Sequence, residues 1–334
     1  MKTTSVMLQT LAVPCACRCR YCLLSWDGRC LGADYARSEA YARRFHEWIA
    51  RERPELRFHF TFGYAMDHPE LPRALDFLGV IGSVSGHFLQ MNGFALRSSA
   101  ENERLMREIF AHGVREVNFT FYGLEEYHDR FAGRSGDFEH LLIQIGAARR
   151  AGLNASAGVA LTAENIGQAE SLLMRLEENG IAAPRLFVPH GEGRGAMLED
   201  IRVTAAQLEA LPQRAKALLN RSVYRTEAEW VAVADSLPEP ENRSLLISLT
   251  EENIGRFERM DFAEVIREVE ALDDAYYRAV PSFAALAARY GDPHGEKLYG
   301  RRDLYQSYQK RYLRESGLKL YDVTDERFCG SRRY

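Results

Sequence analysis

The sequence predicts an α/β fold with a parallel sheet, and three observations predict it. Short β-rich runs alternate with amphipathic helical stretches over residues 1–200. Several of the helical stretches end in glycine, which takes the left-handed conformation at little cost. The β-rich runs are mostly apolar, as strands covered on both faces are. A partly closed β/α barrel and an open doubly wound sheet both fit this alternation.

Six strands and five helices are predicted in this region. Gly113, Gly152 and Gly180 mark the ends of three of the helices, and Thr162 with Asn165 is a predicted N-terminal cap. The strand candidates are residues 6–13, 58–63, 88–91, 114–122, 153–161 and 185–189. The helix candidates are residues 34–52, 69–81, 100–112, 137–151 and 163–179.

The character of the chain changes after residue 200. Helical patterns dominate, Thr204 with Gln207 is a second predicted cap, and residues 237–240 contain two prolines that break the pattern. Residues 244–249 fit either a short strand or a buried helix turn. The helix candidates here are residues 204–219, 225–236, 261–279 and 302–315.

Composition excludes several classes of protein. The 334 residues are 46% hydrophobic and 27% charged, with a net charge of −4, which is typical of a globular protein and not of a nucleic-acid or membrane-surface protein. Six cysteines in a chain of this length do not indicate a disulfide framework. The first residues do not resemble a secretory signal, and no apolar run is long enough to span a membrane. We therefore expect a cytoplasmic protein.

Four of the six cysteines lie in one octapeptide directly after the first predicted strand. Cys15, Cys19 and Cys22 give the spacing C-x3-C-x2-C. Three closely spaced thiolates suit one [4Fe–4S] cluster, because each sulfur can bind a different iron from a single loop. The fourth iron is then open to another ligand. Since the loop follows a strand, it lies at the carboxyl end of the sheet, where α/β proteins place their active sites.

Two other metal-binding classes are weighed against this hypothesis. Structural zinc sites with four cysteines usually take them as two separated pairs, and one octapeptide strains tetrahedral geometry. An electron-transfer ferredoxin needs a fourth cysteine ligand and seldom so long a chain. A non-catalytic zinc-binding module remains an alternative to an enzyme.

The cysteine spacing, with Tyr21 before the last cysteine, resembles the signature of the radical S-adenosylmethionine (SAM) superfamily. The resemblance implies a partial (β/α)6 TIM-type barrel with a [4Fe–4S] cluster and SAM as cofactors. It also implies a one-electron donor such as a flavodoxin or ferredoxin. In this family the reductive cleavage of SAM yields a 5′-deoxyadenosyl radical, which abstracts hydrogen from a C–H bond.

Further segments resemble the family over roughly residues 5–200 and imply contacts with SAM. Residues 60–69 match the Gly and Pro of a Gly-Gly-Glu-Pro segment, and residues 90–93 match the Asn and Gly of a Thr-Asn-Gly turn. Residues 118–123 resemble the fourth strand, and residues 188–195 the end of the sixth. The implied cofactor contacts are Tyr21, Gly63, Tyr64, Asn92, Thr120 and Arg194.

Each of these residues also has a structural interpretation. Asn92 is typical of a turn, Thr120 of a strand, and Arg194 could pair with Glu199 instead of a carboxylate ligand. Cys329 could donate a hydrogen atom to a substrate radical if the tail covers the barrel mouth, or it could be an inert buried thiol.

We therefore expect a radical SAM barrel over residues 1–200 and a mainly helical C-terminal extension over residues 201–334 that covers the substrate side. The expected substrate is a small polar metabolite that is sugar- or nucleoside-like and possibly anionic. This expectation rests on the short N-terminal lead-in and the lack of a cysteine-rich tail. The alternative is modification of a ribosomal peptide by epimerisation or cross-linking. No nucleic acid or membrane partner is expected.

Overall fold

Strands and helices alternate through the first part of the chain in a computed structural model of the protein. The structure describes residues 1–10, 15–22, 32–62, 67–81, 88–191, 193–325 and 327–333. The elements up to residue 187 are β1 (Lys2–Gln9), α1 (Tyr35–Glu52), β2 (Arg57–Thr61), α2 (Leu71–Val80), β3 (Phe88–Gln90), α3 (Ser99–Ala111), β4 (Glu116–Phe121), α4 (Glu125–Ala132), α5 (Asp137–Arg150), β5 (Asn154–Ala160), α6 (Ala169–Glu178) and β6 (Arg185–Phe187).

Three of the predicted helices end at the glycines that the sequence marks, whereas α4 was not predicted. Gly113, Gly152 and Gly180 have φ angles of 91°, 86° and 88°, in the left-handed region. The Thr162 backbone N–H donates to Oδ1 of Asn165 at 2.7 Å, but this bond closes a turn, and α6 begins only at Ala169. These helix ends can be predicted from the sequence because each depends only on neighbouring residues.

The remaining elements form the C-terminal part of the chain. The predicted helix 204–219 is divided at Leu211 and Pro212, because proline cannot donate the backbone hydrogen bond that a continuous helix needs. Thr204 and Gln207 form the predicted capping box at the start of the first piece. The elements are α7 (Ala205–Glu209), α8 (Gln213–Leu218), β7 (Tyr224–Thr226), α9 (Glu227–Val233), β8 (Asn242–Ser248), α10 (Ile254–Phe257), α11 (Phe262–Ala279), α12 (Phe283–Tyr290), β9 (Leu298–Gly300), α13 (Arg301–Ser316) and β10 (Cys329–Arg333).

Two four-stranded sheets carry the barrel strands. Their orders are β10-β8-β1-β2 and β3-β4-β5-β6, and every pairing except that of β10 with β8 is parallel. Within the described residues, no hydrogen-bonded pairing joins β2 to β3 or β6 to β10. Sequential parallel strands with intervening helices are the arrangement of a partial TIM-type barrel, which confirms the predicted fold class.

The C-terminal part contributes two strands to the first sheet. Residues 244–249, which fitted either a strand or a helix turn, lie largely in β8, beside β1. The side-chain amide of Gln9 donates to Oγ of Ser248 at 2.5 Å across this pairing. The mainly helical extension therefore also extends the sheet that carries the cysteine loop. A domain boundary at residue 200 stays a prediction.

The two faces of the strands differ in polarity. Val6, Leu8 and Phe60 belong to the apolar core that includes Phe45 of α1. Several of the alternate positions are polar and form rows in register across neighbouring strands, although Met7 and its partner Leu246 on the same face are apolar. One row joins Ser248, Gln9 and Thr61, and another joins Gln90, Asn118 and Ser156. The inward face of the barrel thus carries these polar rows, while the outward face packs on helices.

Of the helices that the structure describes, none combines the length and the hydrophobicity that crossing a lipid bilayer requires.

Candidate active site

The cysteine run lies just beyond the carboxyl end of β1. Cys15, Cys19 and Cys22 are free thiols, each partly exposed. The backbone N–H of Cys22 donates to the carbonyl of Cys19 at 3.1 Å, so these two residues belong to one tight turn. The loop that follows β1 therefore presents three partly exposed thiols.

Backbone hydrogen bonds hold this loop against α4. The N–H of Arg18 donates to the carbonyl of Ala132 at 2.7 Å, and the N–H of Arg20 donates to that of Phe131 at 3.0 Å. The N–H of Ala16 donates to the carbonyl of Gly93 at 2.9 Å. The loop is thus fixed by its own backbone, independently of anything its thiols bind.

A glycine allows the close contact between α4 and the loop. Gly133 follows α4 with φ of 66°, and a Cβ atom there would lie 2.9 Å from Cβ of Arg18 and 3.0 Å from its carbonyl oxygen. Both the backbone conformation and the distance disfavour any side chain at this position.

Cys17 is buried behind the loop. It is 3% exposed, and its thiol donates to Oδ2 of Asp137 at 3.7 Å. Its hydrogen bond with Cys15 lowers the pKa of the Cys17 thiol, but its hydrogen bond with Cys19, burial and the Asp137 charge raise that pKa overall. Cys17 therefore supports the loop from inside while remaining next to two of the exposed thiols.

Asp137 is the centre of a buried ionic network. Its carboxylate accepts from Nε2 of His128 at 3.1 Å and from the Arg134 guanidinium at 3.1 Å. Burial alone would raise the pKa of the Asp137 carboxyl, but His128 and Arg134 lower it. Because Nδ1 of His128 accepts the backbone N–H of Tyr122 at 3.2 Å, its Nε2 carries the hydrogen. His128 thus links β4 to α5 and holds the support beneath Cys17.

Tyr21 and Tyr122 pack together beside Cys19. Their rings meet edge to face at 5.6 Å, and Tyr122 stacks on Phe131 at 4.5 Å. The hydroxyl of Tyr122 lies 3.5 Å from Sγ of Cys19. Burial, followed by the neighbouring Cys19 and Tyr21, raises the pKa of Tyr122. The sequence gives no signal for the contact between Cys19 and Tyr122, because the two residues are 103 positions apart.

Asn92 and Thr120, two of the predicted cofactor contacts, are direct neighbours. Oδ1 of Asn92 accepts the backbone N–H of Thr120 at 2.6 Å, and Nδ2 donates to the carbonyl of Thr120 at 2.8 Å. The side-chain amide of Gln90 donates to Asn92 at 2.6 Å and lies 3.4 Å from Oγ1 of Thr120. The Asn92 side chain therefore fixes the turn after β3 to β4, while the Thr120 hydroxyl remains directed toward Gln90.

Three predicted cofactor contacts fall where the structure gives no side-chain description. Gly63 and Tyr64 lie outside the described residues, as does the side chain of Arg194. The alternative that Arg194 pairs with Glu199 rests on that side chain and stays a prediction. Glu199 forms ion pairs with Arg202 and with Lys297, each at 3.1 Å.

Arg202 anchors the loop after β6. It is 6% exposed, pairs with Asp303 of α13 at 2.8 Å and lies 3.4 Å from the carbonyl oxygen of Pro189. Oδ1 of Asp303 accepts the backbone N–H of Gly191 at 2.6 Å. The loop that resembles the end of the family's sixth strand is therefore held by the C-terminal part of the chain. Sequence spacing gives no signal for this long-range pair.

The structure does not bring Cys329 to the other cysteines. Cys329 lies in the edge strand β10 opposite Ile247 and belongs to the apolar core on the outward face. Ser331, on the same face of β10, donates to Asp273 of α11. Burial raises the pKa of the Cys329 thiol to about 12. This position on the helix side of the sheet favours the inert thiol over the predicted hydrogen donor.

The donor set of the loop fits an iron–sulfur cluster better than zinc. A tetrahedral zinc–thiolate site requires sulfurs about 3.8 Å apart, given Zn–S bonds of about 2.3 Å. Such sites usually draw their ligands from two separated pairs, whereas these three thiols lie on one loop. Three thiols on one exposed loop, with no carboxylate among the three, match the soft ligands of a [4Fe–4S] cluster.

Comparison with known proteins gives a family and several distant structural likenesses. A search of curated proteins finds none that matches this chain. Coproporphyrinogen III oxidase (HemN) from Escherichia coli is 14% identical, with a TM-score of 0.42 over 67% of this chain and 54% of that chain. Native anSMEcpe with bound AdoMet is 14% identical, with a TM-score of 0.40 over 56% and 53%. SuiB from Streptococcus suis is 10% identical, with a TM-score of 0.39 over 55% and 39%.

The chain spans between about two fifths and about half of the length of these solved structures. Residues 12–176, which include the cysteine loop and the strands from β2 to β5, match the family model described as the radical SAM superfamily. Members of that superfamily use a [4Fe–4S] cluster and SAM. Residues 12–176 of this chain therefore form a radical SAM domain.

Proposed function

We propose that the protein is a radical SAM enzyme that abstracts hydrogen from a small polar metabolite. The observation that carries the proposal is the position of Cys15, Cys19 and Cys22. They lie on one loop that follows β1 and is bonded through its backbone to the residues after β3 and to the end of α4. Barrel enzymes carry out their chemistry on loops of this kind, at the carboxyl ends of the strands.

The residues of the site have distinct roles in this proposal. Cys15, Cys19 and Cys22 would hold the cluster. Bound together, the cluster and SAM would supply the radical chemistry that abstracts a hydrogen atom from the substrate. The chain orients the substrate and excludes water and stray hydrogen donors.

Thr120 and Gln90 are the proposed contacts of the chain with SAM at the rim of β3 and β4. The Thr120 hydroxyl is directed along the rim by Gln90 at 3.4 Å, while Asn92 fixes the backbone of Thr120. Gly63, Tyr64 and Arg194 stay proposed contacts on the family resemblance alone.

The polar inward face of the strands supports a polar substrate. The row Gln90, Asn118 and Ser156 crosses three strands, and the amide of Asn118 donates to Oγ of Ser156 at 2.8 Å. His59 of β2 lies on the same inward face, two residues before Thr61, which belongs to the other polar row. Burial, followed by the Arg57 charge, lowers the pKa of His59 and favours its neutral form, which can bond a hydroxyl. Hydroxyl- and amide-rich metabolites, such as sugars and nucleosides, match these groups.

The enzyme requires a one-electron donor, for which a flavodoxin or ferredoxin is proposed. Anaerobic reconstitution with iron and sulfide tests the whole proposal. We expect a brown protein that releases 5′-deoxyadenosine when it is reduced in the presence of SAM. A colourless protein that binds stoichiometric zinc would end the proposal.

The substrate class is tested separately by deuterium transfer. Deuterated sugars, nucleosides and their phosphates are offered to the reconstituted enzyme, and 5′-deoxyadenosine is examined by mass spectrometry. Deuterium from one of these compounds supports the metabolite. If deuterium came from a short ribosomal peptide and none came from the metabolites, the metabolite hypothesis would be rejected in favour of peptide modification.

A further inference from the structure

The hydroxyl of Tyr122 is buried and has two candidate partners. It lies 3.5 Å from Sγ of Cys19 and 3.3 Å from the hydroxyl of Tyr21. Because Tyr122 is only 2% exposed, its hydroxyl depends on protein groups for its hydrogen bonds.

The rest of Tyr122 is held firmly in place. Its backbone N–H donates to Nδ1 of His128 at 3.2 Å, and its carbonyl accepts from Nδ2 of Asn165 at 2.5 Å. Its ring stacks on Phe131 with an interplanar angle of 27°. The hydroxyl is therefore presented to Cys19 by a fixed ring on a fixed backbone.

Chemistry sets the direction of the hydrogen bonds once Cys19 binds iron. A cysteine thiolate has no hydrogen and can only accept. Tyr122 has one hydroxyl hydrogen, which then points to Cys19, and its oxygen is left to accept from Tyr21. The hydroxyl of Tyr21 thus donates to that of Tyr122, and the hydroxyl of Tyr122 donates to the sulfur of Cys19.

We propose that Tyr122, supported by Tyr21, is a positioning residue that donates a hydrogen bond to the Cys19 sulfur and raises the reduction potential of the cluster. The proposal rests on the proposed function, since it requires the cluster on Cys19. Reduction adds negative charge to the cluster and its sulfurs, so a donor stabilises the reduced form more than the oxidised form. Hydrogen bonds to ligand sulfurs are a known means of tuning such potentials.

The test is a redox titration of the reconstituted protein, followed by electron paramagnetic resonance of the reduced cluster, without substrate. In Tyr122→Phe the ring remains and only the donor is lost. We expect the ratio of reduced to oxidised cluster at a fixed potential to fall about fivefold, the factor for one hydrogen bond. That factor corresponds to about 40 mV, at about 59 mV per tenfold for one electron.

Tyr127→Phe is the matched control. Tyr127 lies in the same aromatic cluster, but its hydroxyl lies 3.0 Å from Thr162 Oγ1 and donates to Glu164 at 2.9 Å. Its loss should leave the potential unchanged. Equal potentials for wild type and Tyr122→Phe, or equal shifts in both variants, would overturn the proposal.

A second variant covers the case in which Tyr122→Phe fails to assemble a cluster. Incorporation of 3-fluorotyrosine at position 122 keeps the ring and hydroxyl but makes the phenol a stronger donor. The potential should then rise, and an unchanged or lower value would reject the hydrogen bond. A wild-type protein that takes up no iron and sulfide would instead contradict the proposed function.

Discussion

Asn92 holds both backbone groups of Thr120, accepting its N–H at 2.6 Å and donating to its carbonyl at 2.8 Å. Substitution Asn92→Ala should leave both groups without these partners. We expect a loss of about 1–3 kcal/mol in the free energy of unfolding, measured by urea denaturation. Asn154→Ala, at an exposed position of β5, is the control and should change stability little. Equal effects of the two substitutions would contradict a structural role for Asn92.

Gly133→Ala should impair the cysteine loop more than the fold. The new Cβ would lie 2.9 Å from Cβ of Arg18, so the loop must move. We expect less iron and sulfide per chain after reconstitution, while circular dichroism stays native. Gly317→Ala is a close control, because Gly317 also follows a helix, has φ of 65° and would bring its Cβ near no other atom. Similar iron contents in the two variants would refute the close-contact argument.

Cys19→Ala and Cys17→Ala should differ sharply. Loss of the Cys19 ligand should abolish both the visible colour and the cleavage of SAM. Cys17→Ala should keep the cluster, because its thiol is bonded to Asp137 and three ligands remain. Iron and acid-labile sulfide assays measure the difference. A colourless Cys17 variant, or a Cys19 variant that still cleaves SAM, would show that the ligand assignment is wrong.

His140 should make stability depend on pH in the acidic range. Burial, followed by the Arg134 charge, lowers the pKa of His140 to about 4, below its ordinary value of about 6.5. As the pH falls, protons therefore bind His140 in the unfolded chain before they bind it in the folded chain. The stabilisation that neutral His140 contributes is complete above pH 6.5 and is lost as the pH falls toward 4. Between pH 6.5 and 4, we expect the free energy of unfolding of His140→Gln to fall by about 1–3 kcal/mol less than that of the wild type. His294→Gln, at an exposed site, should not do so.

Arg202→Met should cost far more stability than the loss of a surface ion pair. Its removal leaves Asp303, which is 5% exposed, without its buried partner. A buried pair broken in this way costs about 3–5 kcal/mol. Arg214→Met breaks the exposed pair with Glu177 and should cost less than about 1 kcal/mol. Unfolding curves that coincide for the two variants would disprove the anchoring role of Arg202.

Local sequence signals predicted much of this protein. The cysteine spacing indicated the loop of Cys15, Cys19 and Cys22, and glycines such as Gly113 marked the helix ends, because these patterns depend on nearby residues. The family resemblance then favoured the partial barrel over an open sheet. Asn92 and Thr120 were chosen as separate contacts and prove to be direct neighbours.

The parts that sequence did not predict depend on distant residues. The partner of Tyr122 is Cys19, and that of Arg202 is Asp303, and neither pair has a spacing that a pattern could reveal. The direction of the Cys329 side chain follows from the register of β10 on β8, which only the folded chain defines. Residues 244–249 were too few to separate a strand from a helix turn.

The pairing of β1 with β8 has a consequence for how the protein is made. Gln9 and Ser248 are 239 residues apart, so the first strand leaves the ribosome long before one of its two neighbours exists. Until then β1 presents an open edge that can recruit another chain. We therefore expect the nascent protein to require chaperone protection, and its thiol loop to take up inorganic components only after translation has passed the eighth strand.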